Sequence, residues 1–95
     1  MGKRIAQHYS DENVIDFIEL SEDYSIVELV ATSKLDGNTL AELDIRANYG
    51  ITILAIKNEG DINVSPEPDY QLTKGELLIV IGHKNEIKRF EVKAM

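Results

Sequence analysis

The chain has 95 residues, of which 43% are hydrophobic, and it carries a formal net charge of -7 with a sequence pI of about 4.7. This length fits one domain with a thin core, and domains of this size often gain buried area by pairing. The acidic balance argues against general binding to nucleic acid or anionic membranes, but it leaves room for one small anion held by a local cation. Because there is no cysteine, disulfides, thiolate catalysis and cysteine-ligated metals are excluded.

The beginning of the chain resembles neither a signal peptide nor a membrane anchor. Met1 is followed by Gly-Lys-Arg without an apolar segment, and no apolar run approaches the ~20 residues of a membrane span. A reducing, cytoplasmic setting is therefore the simplest expectation. Residues 2–10 read as one or two basic, amphipathic helical turns, as at the cut end of a longer protein. We predict a linker over 1–12 and the domain proper over 13–95.

Two strands are predicted next, and acidic residues surround them. Val14–Leu20 has an imperfect strand alternation, and Tyr24–Thr32 is rich in valine and isoleucine. The carboxylates in this region are Asp11, Glu12, Asp16, Glu19, Glu22 and Asp23. Their spacing matches no calcium-binding loop, so a solvated acidic face is the simpler interpretation, with an incidental cation at a dimer interface left open.

The segment from Leu35 to Lys57 predicts a turn, a helix and a strand. Asn38 or Thr39 is the expected N-cap, and Glu42 completes a capping box with Thr39. Gly50 fits the position after a helix that favours positive φ. The strand is predicted over Ile51–Lys57, and its apolar run Ile51–Ile56 has two interpretations: a central strand buried on both faces, or a strand at a two-fold dimer interface. The small size of the domain favours pairing.

The last third of the chain predicts a hairpin, a central strand and a terminal helix. Asn58–Asp61 has hairpin chemistry, and Ile62–Val64 is a short partner strand. Two prolines then leave the sheet. Leu77–Ile81 is the most apolar strand and is expected at the centre, ending at Gly82, with a helix over Asn85–Phe90. The fold class is thus α+β: a small mixed or antiparallel sheet with one inserted helix and terminal helices.

No enzyme site is expected. The two histidines are His8 and His83. His83 follows the central strand but lacks a neighbouring nucleophile or paired carboxylate, so a surface or capping role is the simpler interpretation. Neither a Rossmann fingerprint nor a P-loop occurs.

Arg46 is the candidate site residue, and it also has two interpretations. Near the end of the predicted helix, a cation stabilises the carbonyl end of the helix dipole and can pair with Glu42, four residues earlier. Alternatively, its planar guanidinium binds a phosphate through two hydrogen bonds.

Several neighbours of Arg46 complete this second interpretation. Tyr49 could stack on a base, and Thr52 offers a hydroxyl at the start of the strand. Ile53 faces the opposite side unless the strand twists or bulges. The loop containing Pro66 and Pro68 forms a rigid apolar lip.

At these residues the chain resembles the RCK C-terminal (TrkA-C) domain. The resemblance rests on the order and spacing of four segments and covers about 2–90. They are Tyr24–Glu28, Asn38–Leu40, Leu43–Lys57 and Leu77–Gly82. Lys3–Gln7 and Asn13–Ser21 resemble more narrowly the Ktr-type regulatory subunit of bacterial potassium uptake.

The resemblance implies a function and a binding site. It implies a cytoplasmic protein whose C-terminal domains form homodimers that bind cyclic di-AMP at the interface and thereby regulate potassium transport. Arg46 would meet a phosphate, and the lining residues implied are Leu40, Ala41, Thr52, Ile53 and Pro68. Thr52 stands where the family often has asparagine, and Ala41 is smaller than the bulky aliphatic residue expected there, so both positions predict weaker or altered contacts to the adenine.

The resemblance also implies partners outside this chain. A Rossmann domain that binds ATP or ADP would precede it, the full subunit would assemble as a ring, and the ring would gate a membrane potassium channel subunit. No cofactor is expected in this chain itself, and neither a metal nor nucleic acid is expected to bind. The alternative is a purely structural dimerisation module with no small-molecule ligand of its own.

Overall fold

A computed structural model describes residues 14–95 and shows five strands and three helices in that range. In chain order the elements are β1 Val14–Glu19, β2 Tyr24–Val30, α1 Leu40–Leu43, α2 Ile45–Tyr49, β3 Thr52–Asn58, β4 Asp61–Val64, β5 Leu77–His83 and α3 Lys84–Ala94. The predicted α+β class is confirmed. The helical turns predicted at 2–10 lie outside the described residues.

The strands form one sheet in the order β1-β2-β5-β3-β4, and every neighbouring pair is antiparallel. Of the two predicted sheet types, the antiparallel one is therefore correct. The predicted central position of the Leu77–Ile81 strand is also confirmed, because β5 pairs with both β2 and β3. Its apolar run suits this place, since Leu78 and Val80 are fully buried on the face that the helices cover.

The two faces of the sheet differ in what covers them. On the inner face, alternate residues of β2 and β5 pack with the helices into one core that includes Val27, Leu29, Ile87 and Phe90. The other face, here called the open face, has no layer over it among the described residues. It presents a row of isoleucines from neighbouring strands, namely Ile18, Ile26, Ile79 and Ile81.

The interpretation of the apolar run Ile51–Ile56 as a central strand buried on both faces is wrong. Ile51 and Ile56 are buried in the core, but Leu54 is 37% exposed and Thr52 is exposed. The strand is only the fourth of five, and its register against β5 slips between Ile53 and Ala55. The irregularity leaves Leu54 as an extra residue, as in a β-bulge.

The single helix predicted after Thr39 is two short helices. Thr39 and Glu42 form the predicted capping box: the Thr39 hydroxyl accepts from the Glu42 N–H at 3.1 Å, and Glu42 Oε1 accepts from the Thr39 N–H at 2.8 Å. The break falls at Asp44, whose backbone is left-handed (φ 44°, ψ 53°). Aspartate is one of the few residues other than glycine that enter this region readily. Gly50 ends α2 at φ 73°, as predicted.

Strand β5 continues through Gly82 to His83, so the prediction that the strand ends at Gly82 is wrong. A Cβ at position 82 would lie 2.7 Å from Ile51 Cγ2, so glycine is required there for close packing rather than for a turn. His83 is the N-cap of α3, with Nδ1 accepting from the Asn85 N–H at 3.0 Å. The terminal helix is confirmed and runs to Ala94.

Candidate functional site

A groove of about 400 Å³ lies between the two short helices, the first half of β3 and residues 65–71, here called the proline loop. Its volume is within the range of about 300–1,000 Å³ that is typical of small-molecule sites. The groove is lined by Leu40, Ala41, Asp44, Ile45, Arg46, Ile51, Thr52, Ile53, Pro66 and Pro68.

Six of the seven predicted site residues line this groove, and Tyr49 does not. The Tyr49 ring packs edge-on against Phe90, with ring centroids 5.2 Å apart, and the Arg89 guanidinium lies 5.4 Å from the centre of the Tyr49 ring. Tyr49 therefore packs α2 against α3 and lies outside the lining of the groove.

Thr52 and Ile53 both line the groove although they are adjacent in a strand. Both side chains reach the groove because this part of β3 lies at an open edge. Strand β4 pairs only with the Ala55–Asn58 half of β3, so the Thr52–Leu54 half has no strand beside it on that side within residues 14–95. At an open edge, side chains from both faces of a strand can reach the same groove. The Ser65 N–H donates to the Leu54 carbonyl at 2.9 Å and brings the chain back toward this edge.

Arg46 is the cation of the groove. It is exposed, and it has no ion-pair partner in the part of the chain that the structure describes. The predicted pair with Glu42 does not form, because Glu42 is held in the capping box. Arg46 is the second of the five residues of α2, so the first and last turns of this helix coincide and the predicted dipole interaction has no separate carbonyl end to act on. The guanidinium is thus available to bind an anion.

The sequence predictions missed Asp44, Ile45 and Ile51 as lining residues. Asp44 faces the groove because its left-handed backbone turns the chain between α1 and α2. A continuous helix was predicted there, and the preference of aspartate for left-handed backbone was the one signal in the sequence that could have indicated the break. Ile45 and Ile51 are buried core residues that also border the groove, and they are here called its floor.

The proline loop is held against α1 by backbone hydrogen bonds. The Leu40 N–H donates to the Tyr70 carbonyl at 3.1 Å, and the Ala41 N–H donates to the Pro68 carbonyl at 2.8 Å. These N–H groups belong to the first turn of α1, where a helix has no internal acceptor for them. The loop thus caps the helix and forms the opposite wall of the groove at the same time.

A smaller cavity of about 140 Å³ lies on the open face and is lined by residues that include Phe17, Ile26, Glu28 and Lys57. Its cation is already paired, since Lys57 Nζ lies 3.2 Å from Glu28 Oε2. In residues 14–95 there is no cluster of three or more potential metal ligands, and no helix in that range is long and apolar enough to span a membrane.

A family model described as the TrkA-C domain matches residues 24–94. The chain belongs to the TrkA-C domain family. The predicted resemblance to the RCK C-terminal domain is confirmed. In this chain, His83 acts as the cap of α3. As a TrkA-C domain, the chain is not an enzyme.

This TrkA-C domain is similar in sequence to potassium transport proteins. It is 54% identical over 95 residues to Ktr system potassium uptake protein A of Bacillus subtilis. The chain spans 43% of the length of that relative, so the larger part of the relative has no counterpart in it.

Two solved structures carry a cyclic dinucleotide. The first is the RCK C domain of potassium transport protein KtrA in complex with cyclic di-AMP, which is 51% identical, with a TM-score of 0.71, over 73% of this chain and 81% of the other. The second is an RCK_C domain dimer of S. agalactiae BusR, also with cyclic di-AMP. It is 28% identical, with a TM-score of 0.63, over 68% and 88% of the two chains.

Proposed function

We propose that this TrkA-C domain is the ligand-sensing part of a Ktr-type regulatory subunit, and that two copies bind one cyclic di-AMP between their grooves to regulate potassium uptake. The observation that carries the proposal is Arg46, unpaired within residues 14–95 and beside an apolar wall, in a domain that is 51% identical to one solved with cyclic di-AMP. The proposal concerns a chain that spans less than half of its curated relative.

The symmetry of the ligand suits a homodimer. Cyclic di-AMP has two phosphates related by a pseudo-two-fold axis, and a two-fold dimer presents the same arginine twice. Each Arg46 would then bind one phosphate through charge-assisted hydrogen bonds. The lining residues of one groove, all within the described range, include a single cation, so the second phosphate requires the second copy.

The adenines would lie on the apolar walls. Leu40 and Ala41 form one wall, Ile53 is on the strand, and Pro68 is on the loop. Thr52 has an exposed side chain and offers a hydroxyl that can donate or accept one hydrogen bond, whereas the asparagine common in this family offers an amide. We expect Thr52→Asn to tighten binding, because an amide can pair with both a donor and an acceptor on an adenine edge.

The rest of the protein would convert binding into gating. We infer a preceding Rossmann domain that binds ATP or ADP, a ring of subunits, and a membrane potassium channel subunit as the partner. The subunit would lie in the cytoplasm, at the membrane only through that partner, and nucleic acid would not be a ligand.

Isothermal titration calorimetry with cyclic di-AMP tests the proposal. Wild type should bind one ligand per two chains, and Arg46→Ala should weaken binding by about 1.5–3 kcal/mol for each phosphate that no longer has its arginine. Arg89→Ala is the matched control, because it removes an arginine that is paired with Glu86 and lies outside the groove. No binding by wild type, or equal weakening in both variants, would contradict the proposal.

The alternative of a purely structural dimerisation module gives a different result. A ligand at 100 times its dissociation constant stabilises the folded state by about 2.7 kcal/mol, which moves a melting curve. A dimer whose melting temperature is the same with and without cyclic di-AMP would favour the structural module.

A further inference from the structure

Glu76 is a buried carboxylate next to the groove that takes no part in lining it. It is 4% exposed and accepts three hydrogen bonds. They come from the Tyr70 hydroxyl at 2.5 Å, Asn58 Nδ2 at 3.0 Å and the Thr73 N–H at 2.8 Å. A buried charge is tolerated only when it is bonded in this way. Glu76 thus joins the proline loop, through Tyr70, to the end of β3.

Tyr70 connects this carboxylate to the groove. Its side chain donates to Glu76, and its own carbonyl accepts from the Leu40 N–H at 3.1 Å. Two residues earlier, the Pro68 carbonyl accepts from the Ala41 N–H at 2.8 Å. The hydrogen bond to Glu76 raises the pKa of Tyr70 to about 12, so the hydroxyl keeps its proton at neutral pH.

These contacts join the two walls of the groove. Leu40 and Ala41 stand on one wall and Pro68 on the other, and backbone hydrogen bonds join the two walls. The loop is attached to the sheet at Glu76, immediately before β5 begins at Leu77. The Tyr70–Glu76 hydrogen bond is therefore a side-chain link between the sheet and the loop wall of the groove.

We propose that Tyr70 and Glu76 are positioning residues for the groove: the hydrogen bond between them holds the proline loop against α1, and its loss weakens ligand binding although neither side chain lines the groove. This inference rests on the proposed function, since it takes cyclic di-AMP as the ligand. The physical reason is that a loop already held in its bound geometry loses less conformational freedom when the ligand binds.

The test compares four variants with wild type by calorimetry with cyclic di-AMP. Tyr70→Phe removes only the hydroxyl. Glu76→Gln keeps the shape of the side chain but has only one acceptor oxygen, whereas the present donors bond to both oxygens of Glu76. This variant should therefore not restore the hydrogen-bond network. We expect Tyr70→Phe and Glu76→Gln each to weaken binding by about 3- to 30-fold, and the double variant to add little to either.

Val27→Ala is the matched control, because it opens a cavity in the core of β2, with β5 between it and β3. It should lower the melting temperature at least as much as Tyr70→Phe while leaving the affinity unchanged at a temperature where every variant is folded. Equal weakening by Val27→Ala, or binding by Tyr70→Phe that matches wild type while Arg46→Ala binds poorly, would overturn the inference and leave the proposed function standing.

Amide hydrogen exchange gives a readout without ligand. Tyr70→Phe should speed exchange at the Leu40 and Ala41 N–H groups, whose acceptors lie on the proline loop, more than Val27→Ala does. Unchanged exchange at these two amides overturns the positioning role by itself. Wild type that fails to bind cyclic di-AMP overturns the proposed function and the binding half of this inference together.

Discussion

The groove and the open face of the sheet are both apolar surfaces, yet they differ in charge and in rigidity. On the open face, Lys57 is paired with Glu28 at 3.2 Å, so its charge is already neutralised. In the groove, Arg46 has no ion-pair partner among residues 14–95, and Glu42, four residues before it, is held in the capping box of α1.

The walls of the two surfaces also differ. The open face is one side of a sheet, whereas the groove is enclosed by two short helices, a strand edge and a loop with two prolines. Apolar area alone therefore does not distinguish a ligand site from an uncovered face. The proposed ligand site is distinguished by its unpaired cation beside an apolar wall.

The largest expected difference comes from removing the cation of each surface. Arg46→Ala should weaken cyclic di-AMP binding by about 10²- to 10⁴-fold, because the dimer loses both arginines and each lost charge-assisted hydrogen bond to a phosphate costs about 1.5–3 kcal/mol. Lys57→Ala should leave affinity unchanged, since that lysine faces the other side of the sheet. Calorimetry on the two variants measures both, and similar weakening in each would remove the distinction between the surfaces.

The next effect concerns the floor of the groove. Gly82→Ala would place a Cβ 2.7 Å from Ile51 Cγ2, so Ile51 or the strand must shift. Overpacking of this kind costs about 1–3 kcal/mol of folding free energy. Urea unfolding should show this loss, and calorimetry should show weaker binding because Ile51 lines the groove. If Gly82→Ala kept wild-type stability and wild-type affinity for cyclic di-AMP, the prediction would be contradicted, because Ile51 could then shift without cost.

Two helix caps of similar size allow a finer comparison. Thr39→Ala removes the cap of α1 at the groove, and His83→Ala removes the cap of α3 at the far end of β5. Each should cost about 1 kcal/mol of stability. Only Thr39→Ala should also weaken ligand binding, because α1 carries Leu40 and Ala41. Thermal melting measures the first effect, calorimetry the second, and equal weakening of affinity in both would contradict the prediction.

The smallest effect is a dependence on pH at the proline loop. The hydrogen bond to Glu76 raises the pKa of Tyr70 from 10.0 to about 12 in the folded protein. The stabilisation is therefore fully present below the unfolded pKa and is lost as the pH rises from about 10 to about 12. The stability difference between wild type and Tyr70→Phe should shrink over that interval in denaturant titrations. A constant difference would show that Tyr70 does not titrate in this way.

Local patterns in the chain predicted most of the elements. The capping box at Thr39 and Glu42, the left-handed Gly50 and the central place of the Leu77–Ile81 run were correct, because each depends on neighbours within a few residues or on apolar content alone. The resemblance to the TrkA-C family pointed to six residues that the fold brings to one groove. What these residues bind remains a proposal.

The structure differs from the local patterns where distant contacts decide. Tyr49 was predicted among the site residues, but its ring packs against Phe90 and does not line the groove. Gly82 was expected to end a strand, but it makes room for Ile51. Neither contact leaves a signal in the local sequence, because each pair is separated by a long stretch of chain.

Backbone preferences and side-chain periodicity are enough to predict the caps, the left-handed glycine, the apolar strands and the arginine beside an apolar run, because each of these is a local property of the chain. Folding adds two features that no local pattern contains. Half of β3 has an open edge within the described residues, and Tyr70 and Glu76 tie the proline loop to the sheet. Those features depend on hydrogen bonds and packing between segments that meet only when the chain is folded.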